Sequence, residues 1–157
     1  MDKKNIKKNI SHFFAWFGLN FVTLIVKLMP DCWLYSFAEG IASLAFIFAA
    51  KQRKIARNSL SVAFGQEKTD KELEQIAKDC FTYMAKSAVE LMFMLDKPQV
   101  LMKRVSIEGK NNLDRALSKG KGVILVSAHF GNFPLLLGRL SLEGYKISGI
   151  IRPMRDE

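Results

Sequence analysis

Two long apolar runs dominate the first third of the chain. The first extends from Phe13 to Met29, and the second extends from Cys32 to Ala50 and contains Glu39 as its one charged residue. Each run is close to the roughly 17–25 residues that a bilayer-spanning helix needs. Because Pro30 and Asp31 favour a turn between the runs, the pattern predicts a pair of apolar helices.

Positive charge stands at both outer ends of this predicted pair. Residues 1–10 contain four Lys, and the second run is followed by Lys51, Arg53, Lys54 and Arg57. This arrangement fits a hairpin that crosses the membrane twice, or one inserted helix beside one that lies in the interface. A buried helical pair in a soluble protein is the alternative. We predict that residues 1–52 form a basic N-terminus and a membrane-associated helical hairpin.

Two amphipathic helices are predicted next. The first extends from Arg53 to Phe64 and ends near Gly65. Thr69 and Glu72 form a capping box that opens the second helix, which continues for about 25 residues with apolar positions three and four apart. The Met and Phe side chains of this stripe suit core packing, with a lipid-binding face as the alternative.

After Pro98 the hydrophobic pattern changes to one that favours alternating strands and helices. Strands are predicted at 105–107, 122–128 and 145–151, and helices at 111–119 and 134–143. The central run GVILVSA suits a strand that is covered on both faces. The sequence therefore predicts an α/β fold, in which N-terminal membrane-associated helices precede a partial, mostly parallel sheet with flanking helices in residues 53–157.

Composition narrows the classes of function. The net charge is +9, and residues 1–61 carry nine of the 24 basic residues against three of the 15 acidic ones. Basic and apolar character in the same segment indicates a membrane surface with anionic lipid rather than nucleic acid. The two cysteines, Cys32 and Cys80, are too few for a disulfide scaffold, and no metal site is expected from their spacing.

The segment SAHFGNFP, residues 127–134, is the best candidate for chemistry. His129 follows the predicted buried strand, and the carboxyl ends of strands are where open α/β sheets bind ligands. Gly131 allows close backbone approach, Asn132 is suited to cap the next helix, and Pro134 suits its first turn. An imidazole there can accept a proton from a hydroxyl, although a hydrogen-bonded structural histidine fits the same position.

Four blocks of this chain, in order, resemble a known family. GKGVILVSAHFGNF, with RKIARNSLSVAF upstream, VSIEGKNNLDRAL between and GYKISGIIRPMRDE after, is similar to the lipid A biosynthesis (lauroyl/myristoyl, Kdo-lipid) acyltransferases, within the lysophospholipid acyltransferase group. The resemblance implies transfer of a fatty acyl chain from acyl carrier protein or coenzyme A to a hydroxyl of a lipid A precursor. It also implies location at the cytoplasmic face of the inner membrane and no resident cofactor.

The resemblance also assigns roles to residues. It implies that His129 is the general base and that Arg152 lies near the acceptor phosphates, although Arg152 equally suits a solvated position near the end of the chain. The reaction further needs an oxyanion stabiliser and a water-poor acyl channel. Backbone N–H groups near Gly131 and Asn132 suit the first need, and Phe130 and Phe133 suit the second.

Two departures from the family pattern affect the functional prediction. The family places an Asp or Glu five residues after the His, and here that position is Pro134. Glu143 is too far along the predicted helix to substitute. An acid from elsewhere then assists His129, or His129 acts alone, or the chain is a catalytically inactive lipid-binding remnant. Family members are also longer, so we expect this sequence to be an N-terminal portion.

Overall fold

The computed structural model describes residues 3–65, 67–128 and 130–150, and all regular structure in those residues is helical. The helices are α1 (Lys3–Leu28), α2 (Leu34–Phe48), α3 (Ala50–Phe64), α4 (Asp70–Met94), α5 (Pro98–Arg104), α6 (Lys110–Leu117) and α7 (Phe133–Leu142), and a 3-10 turn (Asp31–Trp33) precedes α2. The chain divides into two compact units, Met1–Phe93 and Met94–Glu157.

The predicted pair of apolar helices is present as α1 and α2. Along α1, the rings of Phe13, Phe17 and Phe21 stack in series, with neighbouring ring centroids 6.4 Å apart. More than half of each of these three side chains is exposed, so the stack is an outward-facing apolar stripe rather than core. Its four-residue spacing keeps the rings on one face of the helix. The membrane association of residues 1–52 stays a prediction.

α2 and α4 run side by side in opposite directions. The Tyr35 hydroxyl donates to Glu90 Oε1 at 2.7 Å, near the start of α2 and the end of α4. Towards the other end of α2, the rings of Phe46 and Phe81 meet edge to face with their centroids 5.3 Å apart. Such an aromatic pair contributes about 0.5–1.5 kcal/mol beyond the area that it buries.

The charge inside the second apolar run is neutralised by α4. Lys86 Nζ lies 2.7 Å from Glu39 Oε1, and it also lies 5.7 Å from the centroid of the Tyr35 ring. Lys86 therefore supplies an opposite charge to Glu39, which is the one charged residue of α2. The core of this unit includes Leu34, Ala38 and Ala42 of α2 with Leu73, Ala77, Val89 and Phe93 of α4. The predicted core use of the α4 stripe is therefore confirmed for Leu73 and Ala77, whereas Met84 of the same stripe is 69% exposed. Val89 and Phe93 are core residues that the predicted stripe did not include.

The capping box at the start of α4 is confirmed. The Thr69 backbone N–H donates to Glu72 Oε2 at 2.7 Å, and the Glu72 N–H donates back to Thr69 Oγ1 at 3.4 Å. The hydrogen bond from the Thr69 backbone holds the pKa of the Glu72 carboxyl below its usual value. This pair satisfies N–H groups that the first turn of a helix otherwise leaves unpaired.

α3 begins earlier than predicted. It starts at Ala50 rather than Arg53 and ends at Phe64 before Gly65, as expected. One residue, Ala49, separates it from α2, with φ −86° and ψ 56°. Arg53 Nη1 donates across this break to the carbonyl oxygen of Phe46 at 3.0 Å, so a carbonyl at the end of α2 gains a partner.

The predicted α/β fold with a partial parallel sheet is wrong. Residues 105–107, 122–128 and 145–150 form no strand, and the described part of the chain contains no sheet. The side chains in 122–128 are exposed, and those of Ile124 and Val126 are 92% and 90% exposed. A strand is stabilised by hydrogen bonds to a neighbouring strand, and an apolar run predicts burial without specifying that neighbour.

Candidate functional site

The candidate segment 127–134 connects the irregular residues 122–128 to α7. Ser127 and Ala128 are exposed, and the Ser127 hydroxyl donates to the carbonyl oxygen of Ala128 at 3.2 Å. The predicted base, His129, and the predicted phosphate-binding residue, Arg152, lie outside the described residues. The structure describes the residues on both sides of His129, 122–128 and 130–134.

A sharp backbone turn follows the position of His129. Gly131 has φ +64°, in the left-handed region that glycine adopts without a Cβ clash. Asn132 then takes the N-cap position of α7 with φ −93° and ψ 57°. The expected side-chain cap is absent, because the Asn132 side chain makes no capping hydrogen bond to this helix. Pro134 lies in the first turn, as predicted, where its missing N–H is tolerated.

The four predicted substrate-binding residues from Phe130 to Phe133 are described. Phe130 is 87% exposed, whereas Asn132 and Phe133 are half-buried. Phe133 is the first residue of α7, so these residues lie at the positive end of the α7 dipole. Backbone N–H groups and a positive dipole end suit an anion or a developing oxyanion.

α7 is fixed in the second unit by packing against α5. Leu135 and Leu140 of α7 are 4% and 5% exposed, and Leu101 of α5 is 2% exposed. A Cβ added at Gly138 would lie 3.2 Å from Cδ2 of Leu101, so α5 and α7 approach closely there. α5 was missed in the sequence because Pro98, which begins this helix, was interpreted as the end of the helical pattern. The packing gives the candidate segment a rigid C-terminal support.

Glu143, at the far end of α7, belongs to a cluster of charges. Its carboxylate accepts hydrogen bonds from Lys110 of α6 and, at 2.5 Å, from Arg139 Nη1. Arg139 Nε donates to the carbonyl oxygen of Val105 at 3.0 Å. The bond from Lys110, and then that from Arg139, lowers the pKa of the Glu143 carboxyl, and the same contact with Glu143 raises the pKa of Lys110. Glu143 therefore has a structural role that ties α6 to α7.

A second polar contact holds the chain that follows α7. The Tyr145 hydroxyl donates to Asp114 of α6, and this hydrogen bond raises the pKa of Tyr145. Lys110 Nζ lies 5.7 Å from the centroid of the Tyr145 ring. This cluster is difficult to predict from the sequence, because its members are separated by about 30 residues and share no periodicity.

Replacing Glu143 with glutamine should weaken the dependence of the unfolding free energy on pH in the acid range. Because the folded pKa of Glu143 is lowered, its ionised form stabilises the fold above the unfolded value of about 4.3. This stabilisation is lost as the pH falls through the folded pKa. We expect chemical unfolding at pH values from about 6 to 2 to show a weaker pH dependence for E143Q than for the wild type. Glu108, an exposed residue of the same unit, provides the control E108Q, and equal effects of the two variants would contradict the assignment.

No metal cluster is found in the part of the chain that the structure describes, since no three His, Cys, Asp or Glu side chains in it come together.

One helical segment in these residues, Asp31–Phe48, is long and apolar enough to cross a membrane. Large apolar side chains are exposed on both sides of the turn at Pro30. Leu28, at the end of α1, is 77% exposed, and Trp33, within the segment, is 67% exposed. These residues form an apolar surface on the first unit.

Comparison with known proteins relates the chain to a family. The family described as bacterial lipid A biosynthesis acyltransferase matches residues 2–155. The chain is 29% identical over 145 residues to a lipid A biosynthesis palmitoleoyltransferase of Escherichia coli (strain K12) and to a lipid A biosynthesis acyltransferase of Shigella flexneri. Each alignment covers 91% of this chain and 44% of the relative, so the chain spans under half the length of these relatives. No solved structure matches.

Proposed function

Since the chain belongs to the bacterial lipid A biosynthesis acyltransferases, we propose that it transfers a fatty acyl chain from acyl carrier protein or coenzyme A to a hydroxyl of a lipid A precursor. The observation that carries the proposal is the family match across residues 2–155, which includes the whole candidate segment 127–134. The turn at Gly131 and the start of α7 directly after it suit that chemistry.

In the proposed reaction His129 acts as general base. Its imidazole takes the proton of the acceptor hydroxyl as the oxygen attacks the thioester carbonyl carbon, and a C–O bond forms. Backbone N–H groups near Gly131 and Asn132 stabilise the oxyanion of the tetrahedral intermediate. Collapse of this intermediate breaks the C–S bond, and His129 returns the proton to the leaving thiolate. The products are the acylated acceptor and the free carrier thiol.

The remaining predicted site residues bind the two substrates. Phe130 and Phe133 offer apolar surface to the acyl chain, and an acyl chain on the exposed ring of Phe130 would remove that ring from water. Arg152 is proposed to bind an acceptor phosphate, because a guanidinium matches phosphate with two parallel N–H donors. No cofactor takes part in these steps.

We place the protein at the cytoplasmic face of the inner membrane. The support is the apolar surface of α1 and α2 together with the basic residues that flank them. Cations beside an apolar helix favour the cytoplasmic side of a membrane. A lipid acceptor and an acidic carrier protein would both meet a positively charged protein there.

The proposal is tested with membranes from cells that express the chain. Membranes containing it should transfer a labelled acyl group from acyl carrier protein or coenzyme A to a lipid A precursor, and mass spectrometry should show one ester added per acceptor. Membranes without the chain serve as the control. Product formation at the background rate with both donors would contradict the proposed activity.

A second function, a catalytically inactive lipid-binding remnant, is favoured by Pro134. This residue occupies the position of the family's carboxylate, and Glu143, at the far end of α7, is bonded to Lys110 and Arg139. An inactive lipid binder would retain the lipid A precursor in a pull-down from detergent micelles without forming any ester. Ester formation above background excludes it.

A further inference from the structure

An open basic pocket lies between α3 and α4 in the first unit. Its cavity has a volume of about 470 Å³ and is lined by Ala50, Arg53, Lys54 and Arg57 of α3 and by Glu74 of α4. The four α3 residues are spaced by three, four and seven positions from Ala50, so they share one face of the helix. Three cations and one carboxylate line the cavity, which therefore suits an anion.

The cations of the pocket are held in different ways. Arg53 is fixed because Nη1 donates to the Phe46 carbonyl oxygen at 3.0 Å and the guanidinium lies 5.3 Å from the centroid of the Phe46 ring. Arg57 offsets the acidic side of the pocket, because its guanidinium lies 3.2 Å from Asp70 Oδ1 and 3.8 Å from Glu74 Oε2. With Glu74 paired in this way, Arg53 and Lys54 carry the positive charge that an incoming anion would meet.

The rim of the pocket adjoins the most exposed apolar end of α2. Ile47 and Phe48 are 61% and 80% exposed, and one residue, Ala49, separates them from the first lining residue, Ala50. An apolar helix end followed by clustered cations matches the boundary between acyl chains and headgroups in a membrane. The phosphate layer is the nearest source of anions at that boundary.

We infer that this pocket binds the phosphate of an anionic phospholipid headgroup while the exposed end of α2 lies among the acyl chains. The guanidinium of Arg53 and the ammonium of Lys54 donate hydrogen bonds to the phosphate oxygens, and the single negative charge of the phosphodiester offsets part of their positive charge. The inference rests on the proposed membrane attachment and is independent of the acyl-transfer step. It makes α3 a headgroup-binding element that sets the depth of the first unit in the membrane.

The test measures which lipid the chain retains. The full chain is purified in neutral detergent, mixed with equal amounts of phosphatidylglycerol and phosphatidylcholine, washed, and analysed for bound lipid by mass spectrometry. The wild type should retain phosphatidylglycerol preferentially, and Lys54→Gln should lower that preference about fivefold, the loss expected for one cation at an anionic surface. Lys51→Gln removes the same charge from α3 outside the pocket and should leave the preference close to that of the wild type.

Several outcomes would overturn the inference. Equal retention of the two lipids by the wild type would do so, and so would equal losses for Lys54→Gln and Lys51→Gln, which would indicate diffuse attraction. Binding of inorganic phosphate with equal retention of both lipids would assign the pocket to a soluble phosphate compound. Acyl transfer assayed in neutral micelles should be unchanged in Lys54→Gln, so failure of the pocket and failure of the proposed function give different results.

Discussion

Replacing His129 with alanine should lower the rate of acyl transfer by a factor of about 10²–10⁴, the contribution typical of a positioned general base. The imidazole is the group proposed to take the proton of the acceptor hydroxyl, and alanine offers no acceptor in its place. Because the lost interaction is one made only in the transition state, kcat and kcat/KM should fall together while KM changes little. The measurement is the initial rate of ester formation at several acceptor concentrations.

The chain supplies its own matched control for this experiment. His12, the other histidine, is exposed on α1 and lies in the first unit. His12→Ala should leave the rate unchanged, and both variants should keep the helical circular dichroism of the wild type. Equal rates of the wild type and H129A would remove His129 from the mechanism. Equal losses in H129A and H12A would indicate a general effect of the substitutions.

The helices were predictable where local signals agreed. α4 carries apolar positions three and four apart and opens with the hydrogen-bonded pair Thr69 and Glu72, so periodicity and capping gave the same answer. α3 was less well predicted at its start, because the one-residue break at Ala49 stands in a run without glycine or proline. The hydrogen bond from Arg53 to the Phe46 carbonyl oxygen spans this break, and the periodicity of apolar residues does not predict it.

The lack of a sheet in the described residues was not predictable from the sequence, because strand pairing is a non-local property. The apolar run at 122–128 has the composition of a buried strand, yet its side chains are exposed in the structure. In the candidate site, the turn at Gly131 and the place of Pro134 in α7 follow from the intrinsic preferences of those residues. The bonding of Glu143 to Lys110 depends on how α6 meets α7, which sequence spacing alone leaves open.

Gly131→Ala should reduce acyl transfer by about 100-fold, the cost of a displacement near 1 Å at a reacting group. Gly131 has φ +64°, and an L-residue in that region is destabilised by about 1–2 kcal/mol. Rotation of the backbone relieves this strain in the alanine variant, and it moves His129, two residues earlier in the chain, relative to the start of α7. Gly131→Asn should retain more activity than Gly131→Ala, because asparagine tolerates the left-handed region.

The control for this loss of activity is another glycine of the second unit that also has a positive φ angle. Gly144 has φ +90°, and a Cβ added there meets nothing within 4 Å, so Gly144→Ala imposes backbone strain without a clash. It follows the far end of α7, away from residues 127–134 in sequence. Both alanine variants should lose similar thermal stability, but Gly144→Ala should transfer acyl groups at close to the wild-type rate. If the two variants lose activity equally, the loss reflects stability, and the turn at Gly131 has no special part in positioning His129.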